Sequence, residues 1–138
     1  MRRWGRLLGA IAIALSISAC SSHSAAIAPT PPGPFASQAD QVVADLAAGN
    51  FTVVEAKFDP TVTASLPLSA LQSAWTTYQE SMGSYKSHIA PASVRQGQLD
   101  VERVPVTMTN GQGEVRITFN TNGTIAGLYF LKAGAPAP

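Results

Sequence analysis

The sequence predicts an α+β domain in which N-terminal helices pack on one face of a curved antiparallel sheet. Apolar residues recur at helical spacing as far as Gly83 and at every second position after it. Two dipeptides, Asn110-Gly111 and Asn122-Gly123, separate the alternating runs and are typical of hairpin turns. Helices that precede a meander of strands are expected to lie together on one side of the sheet.

Residues 1–19 have the three parts of a secretory signal peptide. Arg2, Arg3 and Arg6 form a basic head, an apolar run follows, and small residues, Ser18 and Ala19, end the segment. The apolar run of about eleven residues is shorter than the roughly 20 that a membrane-spanning helix needs. We therefore expect this segment to be removed.

Cys20, the only cysteine of the chain, directly follows Ala19. This arrangement resembles the lipobox of bacterial lipoproteins. The resemblance implies that Cys20 is acylated, becomes the new N-terminus and holds the protein in the lipid bilayer, at the extracytoplasmic face of the cell membrane. Two acyl chains, at ~0.8 kcal/mol per buried methylene, anchor a protein stably. The alternative is a secreted protein with an unpaired cysteine near the cut.

The remaining chain is predicted to have three parts. Residues 20–36 form a tether rich in proline and serine, residues 37–132 form one domain, and residues 133–138 form a disordered tail. Removal of the signal leaves six of the nine basic residues against eight acidic ones, a net charge near −2. No basic surface for nucleic acid is therefore expected. Without a second cysteine, packing alone has to hold the fold.

The spacing predicts helices in the first half of the domain. The first begins at a capping box, Ser37-x-x-Asp40, and ends at Gly49. A short helix over residues 50–58 follows, with Asn50 as its N-cap. Asp59-Pro60 then predicts another helical turn, capped by the carboxylate.

The longest predicted helix opens at Ser69 with Gln72 and closes at Gly83. One stripe of this helix is large, apolar and partly aromatic, and it consists of Leu71, Trp75, Tyr78 and Met82.

The alternating runs predict strands over residues 99–109, 114–120 and 125–131, with a weaker strand within 84–94. The apolar positions shift phase within the first run, which predicts a bulge near Glu102 or Arg103. Pro105 removes one backbone donor, so this strand is expected at a sheet edge or to use the bulge at that point.

Several of these motifs together resemble an uncharacterised bacterial domain of the nuclear-transport-factor-2-like superfamily, in the version often found ahead of an α/β-hydrolase. The resemblance covers residues 38–131 and implies a cone-like fold with a pocket inside. The printed chain carries only the short tail after Leu131, so any hydrolase partner is expected to be a separate protein. The motifs are Gly49-Asn50-Phe51, Phe58-Asp59-Pro60, Leu66-Pro67, Leu71 with Trp75, Gly83, Val104-Pro105-Val106 and Gly123-x-Ile125-Ala126-Gly127-Leu128-x-Phe130.

Few residues of the domain are of the types that catalyse reactions or bind metals. His88 is its only histidine, which leaves little material for a metal site or a histidine-assisted nucleophile. Asp100 and Glu102 share a strand face and are an acid/base pair or, more ordinarily, two solvated carboxylates. Tyr78 and Tyr129 match no catalytic motif of the wider superfamily. No catalytic residue, cofactor or metal is predicted.

The sequence therefore favours a membrane-anchored, non-catalytic binding domain. An apolar or amphipathic small molecule is the expected ligand, and an envelope protein is the alternative partner; a small pocket enzyme is the third possibility. If the helix stripe faces the sheet, one set of side chains lines the pocket or, alternatively, forms an ordinary core. This set is Trp75, Tyr78, Met82, Phe119 and Tyr129.

Overall fold

A computed structural model describes residues 31–136 of the chain. The predicted signal peptide, Cys20 and the tether as far as residue 30 lie outside the described residues. The predicted fold class is confirmed, because helices come first and pack on a curved antiparallel sheet of five strands. Among residues 31–136, no helix combines the length and apolar character needed to cross a membrane.

Four helices occupy the first half of the domain. They are α1 (Ala36–Ala48), α2 (Phe51–Glu55), α3 (Pro60–Ser65) and α4 (Leu68–Met82). The bounds of all but α2 lie within one residue or so of the predicted ones. Gly49 ends α1 with a φ of 80°, a left-handed conformation that glycine adopts without strain. The Asp59 carboxylate caps α3 by accepting a 2.8 Å hydrogen bond from the backbone N–H of Val62.

Three predicted caps are wrong. No side chain caps α1, which begins one residue before Ser37 because Phe35 stacks on Phe119 and fixes the entry of the chain. Asn50 precedes α2 without a side-chain cap, and α2 ends at Glu55, well before Phe58.

The start of α4 is the third case. It follows Pro67, and the carboxylate of Glu55 accepts a 2.9 Å hydrogen bond from the N–H of Leu68, so Ser69 and Gln72 do not open it.

Five strands form the sheet. They are β1 (Tyr85–His88), β2 (Ala92–Gln96), β3 (Leu99–Met108), β4 (Gly111–Phe119) and β5 (Ile125–Lys132). The order is β1-β3-β4-β5, and β2 lies beside β1 along the same edge of β3. The weak strand predicted within 84–94 is therefore two short strands, and both predicted hairpin turns lie where expected, between β3 and β4 and between β4 and β5.

The bulge predicted near Glu102 or Arg103 is wrong, because β3 pairs with β4 without interruption from Asp100 to Met108. The irregularities lie instead between Tyr85 and Ser87 in β1 and opposite the step from Thr118 to Phe119. β3 is also not an edge strand. Proline lacks a backbone N–H, and in a strand this group would point to the same side as the carbonyl. The Pro105 carbonyl bonds to the N–H of Ile89, on the side where the partner strand changes from β1 to β2, so the missing donor is tolerated there.

Strict alternation gives the sheet two different faces. The helix-facing side contributes Val104, Val106 and Met108 from β3 and Val115, Ile117 and Phe119 from β4 to a core with the four helices. The opposite side, which we call the open face, carries Val101 and Arg103 of β3, Arg116 and Thr118 of β4, and Gly127 and Tyr129 of β5.

Candidate functional site

Four of the five predicted pocket residues lie in the hydrophobic core. Trp75, Tyr78 and Met82 of α4 pack with Phe119 of β4, and all four are almost completely buried. Trp75 contacts the ring of Phe130 edge-on at 5.3 Å between centroids. These side chains hold α4 on the sheet.

Tyr78 links α4 to β5 through its polar end. Its hydroxyl donates a 2.7 Å hydrogen bond to the carbonyl of Leu131. Burial raises the pKa of the Tyr78 hydroxyl, so it stays a protonated donor. Its position between helix and strand indicates a structural role.

The structure separates the fifth predicted residue, Tyr129, from the other four. Tyr129 lies on the open face, opposite Arg116, and is 40% exposed. Its neighbour Phe130 takes the helix-facing position and packs against the core. Residues 125–131 are apolar at nearly every position, so the sequence did not fix which residues of this strand point inward.

A cleft of about 380 Å³, which we call the open-face cleft, lies on the open face around Tyr129. Gly127 and Thr118 form part of its floor, and the ring of Tyr129 lies over Gly127, where a Cβ atom would be 3.1 Å from the ring. Slightly more than half of its lining surface is apolar, and the lining includes two arginines. The lining residues are Val94, Gln96, Leu99, Val101, Arg103, Arg116, Thr118, Ala126, Gly127, Tyr129 and Ala135.

One carboxylate and two guanidinium groups form the charged side of this cleft. Glu114 accepts hydrogen bonds from Arg103, the shortest at 2.9 Å, and from Nε of Arg116 at 2.8 Å. Arg103 and Arg116 face each other across β3 and β4, so both guanidinium groups reach the same carboxylate. The cluster holds two positive charges and one negative charge.

Glu114 stays ionised within this cluster. Burial raises the pKa of the Glu114 carboxyl, but hydrogen bonds and charges from Arg103 and Arg116 outweigh it and hold the pKa below its usual range. The same bonds raise the pKa of Arg103. The cluster is therefore fully charged at neutral pH.

Residues 133–136, which the sequence places in a disordered tail, lie instead against the open face. The N–H of Ala133 continues the pairing of β5 by donating to the carbonyl of Gln112, 3.2 Å away. The carbonyls of Ala135 and Pro136 accept hydrogen bonds from Arg116 at 3.2 and 3.3 Å. This segment forms one wall of the open-face cleft.

The carboxylates of Asp100 and Glu102 face the helices and are buried, so the expectation that they are solvated is wrong. Asp100 lies 3.8 Å from a guanidinium nitrogen of Arg95. Glu102 is completely buried, and one of its oxygens accepts a 2.6 Å hydrogen bond from Ser93, whereas Oε1 has no partner among residues 31–136. The unbroken alternation of β3 explains this placement, because it puts both residues on the same face as Val104.

His88 lies at the other end of the helix-facing side. Its Nε2 is 2.9 Å from the Asp40 carboxylate of α1, and its Nδ1 is 2.5 Å from the Tyr85 hydroxyl. Burial and the charge of Asp40 raise the pKa of Tyr85. The sequence did not predict this chain of three side chains, because Asp40 is 48 residues away from His88.

The charged cluster of Arg103, Glu114 and Arg116 was also missed. A signal was present, because alternation along β3 and β4 puts the two arginines on the face opposite Val104 and Val115, and the strand register places them with Tyr129. Within residues 31–136, no three His, Cys, Asp or Glu side chains are grouped as metal ligands.

Comparison with known proteins gives one match. Residues 39–128 match the family described as Protein of unknown function (DUF3887). No curated protein matches the chain, and no solved structure does. The matched range runs from α1 into β5 and covers the charged cluster, while Tyr129 and residues 133–136 lie beyond it.

Proposed function

Because the chain belongs to the DUF3887 family of proteins of unknown function, its role has to be inferred from its own residues, and we propose that it is a membrane-anchored binding module. The proposed ligand is an amphipathic molecule with one anionic group. The proposed binding site is the open-face cleft, in place of the helix-lined pocket that the sequence predicts.

One observation carries the proposal, namely that the open-face cleft combines an apolar lining with an excess positive charge. Its volume of about 380 Å³ lies at the lower end of the range of small-molecule sites. Val101 and Tyr129 supply apolar surface, while Arg103 and Arg116 share the single carboxylate of Glu114. An apolar body with an anionic group complements both features.

The predicted anchor supports an amphipathic ligand. Residues 20–33 reach at most ~40 Å when extended at ~3.1 Å per residue. The N–H of Gly33 donates a hydrogen bond to the Ser93 hydroxyl of β2. Val94, which follows Ser93 in β2, lines the cleft. An acylated Cys20 would therefore keep the cleft within a few tens of ångströms of the bilayer, where lipids and lipid-linked cell-wall precursors are concentrated.

The proposal includes a non-catalytic role and the finer assignment to the nuclear-transport-factor-2-like superfamily. The two arginines that line the cleft, Arg103 and Arg116, both bond to Glu114 beside it, which suits the holding of a charged ligand. Four helices on one face of a curved antiparallel sheet support the superfamily assignment.

An envelope protein, including a separate α/β-hydrolase, is the second candidate partner. The specific observation in its favour is that Ile89 and Val94, at the β1–β2 edge, are large apolar side chains with substantial exposure. Such a partner would cover this edge together with Tyr129.

The proposed function can be tested with the mature chain carrying Cys20→Ser, which prevents acylation. Isothermal titration with laurate, below its micelle concentration, is expected to show saturable binding, and the cationic dodecyltrimethylammonium is expected to bind far more weakly. Val94→Ser is expected to weaken laurate binding because Val94 lines the cleft. Val53→Ser is the matched control, because Val53 on α2 is 48% exposed, close to the 44% of Val94, and lies outside the cleft.

Two results would count against the proposal. Equal binding of the anionic and cationic amphiphiles would show that the charge of the cleft has no influence. An equal effect of Val94→Ser and Val53→Ser would show that laurate only adsorbs to exposed apolar surface.

A further inference from the structure

We infer that Arg116 binds the carboxylate group of the ligand and that residues 133–136 occupy the place of this carboxylate until the ligand arrives. The inference rests on the proposed function, and it specifies both the chemical class of the ligand and the regulation of the site. The ligand class is an acyl-chain carboxylate.

The hydrogen bonds of Arg116 indicate a guanidinium group with incomplete charge compensation. The side chain is only 7% exposed, so water contributes little to its solvation. Among residues 31–136 its one anionic partner is Glu114, which also accepts three hydrogen bonds from Arg103. One carboxylate is thus shared by two cations, and a buried charge is costly unless it is fully paired.

The other partners of Arg116 in the part of the chain that the structure describes are neutral, and their hydrogen bonds are long. The carbonyls of Ala135 and Pro136 lie 3.2 and 3.3 Å from its terminal nitrogens. Hydrogen bonds between guanidinium and carboxylate groups are shorter, about 2.7–2.9 Å, and roughly twice as strong as neutral ones. A ligand carboxylate would therefore be a better partner than the two carbonyls that it replaces.

Residues 133–136 are suited to being displaced. The sequence Ala-Gly-Ala-Pro has no large side chain that would bury apolar surface. Two backbone hydrogen bonds, from Ala133 to Gln112 and from Ala135 to Lys132, and the two bonds to Arg116 hold it in place. Its release would open the wall of the cleft beside Arg116 without disturbing the core.

The surroundings of Arg116 define where the apolar part of the ligand would lie. Tyr129 faces Arg116 on β5, and Thr118 and Gly127 come one row further along the open face. Val101 faces Thr118 on the other side. An acyl chain can therefore extend from Arg116 along the ring of Tyr129 toward Val101.

Three chains test this inference, all carrying Cys20→Ser and all titrated with laurate. They are the reference chain, the same chain ending after Lys132, and the reference chain with Arg116→Lys, which keeps the charge but loses the planar fork. The chain ending after Lys132 is expected to bind laurate about tenfold more tightly, since the two carbonyls that compete for Arg116 are removed. Arg116→Lys is expected to bind more weakly than the reference, with unchanged circular dichroism.

Dodecanol is the matched control probe, because it has the same alkyl chain and no carboxylate. Its binding is expected to be equally weak in all three chains. In addition, ¹⁵N relaxation of Gly134 in the reference chain is expected to show increased mobility when laurate saturates the site. This measurement needs no substitution at Arg116 and stays decisive if Arg116→Lys does not fold.

The outcomes separate this inference from the proposed function. Equal laurate binding by all three chains, with no change at Gly134, would overturn the inference and leave the proposed function standing. If the shortened chain gained affinity for laurate and dodecanol alike, residues 133–136 would be a steric obstruction only. Absence of laurate binding in every chain would overturn both.

Discussion

Nε2 of His88 lies 2.9 Å from Oδ1 of Asp40, and this contact joins β1 to α1 at the edge of the sheet. The other ring nitrogen of His88 contacts the hydroxyl of Tyr85 at 2.5 Å. Both nitrogens of the imidazole are therefore engaged. The His88 side chain is mostly buried, whereas Asp40 is half exposed, so the contact is shielded on one side only.

We expect His88→Ala to lower the free energy of unfolding by about 1–2 kcal/mol, because two hydrogen bonds at a partly buried edge are lost. The sequence alone predicts a smaller effect. Urea unfolding at neutral pH measures the difference. His23→Ala, in the predicted tether, is the matched control and is expected to leave the midpoint unchanged. A midpoint for His88→Ala equal to that of the control would show that the contact with Asp40 contributes nothing.

Alanine substitutions of Trp75 and Tyr129, which the structure places on opposite faces of the sheet, should differ sharply in their effect on the free energy of unfolding. Trp75 is 3% exposed and packs against Tyr78, Tyr85 and Phe130, so Trp75→Ala is expected to cost ~3–5 kcal/mol. Tyr129 lies on the open face, and Tyr129→Ala is expected to cost less than about 1 kcal/mol. Thermal unfolding of both variants tests the pair. Equal losses would contradict the placement of Tyr129 outside the core.

Acid should weaken the charged cluster. The pKa of Glu114 is lowered in the folded state, because the bonds from Arg103 and Arg116 outweigh burial. Its stabilising contribution is therefore present above the unfolded pKa of about 4.3 and is lost as the pH falls through the lower folded value. Glu114→Gln should be less stable than the reference at neutral pH, and the difference should narrow below about pH 4.

Urea midpoints measured from neutral pH into this acid range test the prediction for Glu114. Glu80→Gln, at an exposed position on α4, is the control and should show no such change. If the midpoints of Glu114→Gln and the reference differed by the same amount across the pH range, the lost stability would come from packing and not from the charge of Glu114.

The sequence specified the elements better than it specified their faces. Gly49, Gly83 and the two Asn-Gly turns mark where elements end, and Asp59-Pro60 marks where α3 begins, because each acts on its own local backbone. The position of Glu102 could not be obtained in this way. The shifted apolar pattern of β3 indicates a bulge, whereas the strand is regular and buries the carboxylate beside Ser93.

The candidate site was harder to predict, because its members meet only through strand pairing. Arg103 and Arg116 come together through the β3–β4 register, and the carbonyls of Ala135 and Pro136 approach Arg116 from the end of β5. No local pattern encodes these contacts. On the helix side the sequence left open whether the stripe of α4 lines a pocket or forms an ordinary core, and the structure has a packed core there.

The predicted anchor depends on Cys20, which lies outside the described residues. We expect the mature chain to begin at an acylated Cys20, and Cys20→Ser to abolish the lipid and give an unprocessed or released protein. Intact mass spectrometry of the membrane fraction measures both. Ser21→Ala is the matched control and should be processed normally. An unmodified cysteine, or a mature chain that begins elsewhere, would refute the anchor.

The last prediction concerns how the end of the tether is fixed on the domain. The N–H of Gly33 donates a 2.7 Å hydrogen bond to the Ser93 hydroxyl, which in turn donates to Glu102. A Cβ atom on Gly33 would lie only 2.5 Å from Oε1 of Glu102. This oxygen is buried and has no partner among the described residues. β3 therefore cannot move away from a side chain at residue 33 without exposing the Glu102 carboxylate. Only glycine fits against this pair of side chains.

Gly33→Ala is therefore expected to displace residues 31–35 from the sheet and to let water reach Glu102. The cost should be about 1–2 kcal/mol, because one hydrogen bond is lost and the Phe35–Phe119 stack at 5.0 Å is loosened. Hydrogen exchange of the Gly33 and Ala36 amides measures the release directly. Ser93→Ala removes the same bond from the other side, so the double variant should cost less than the sum of the two single variants. Additive costs would show that the tether is not held through Ser93, and the cleft would then lose its fixed distance from the anchor.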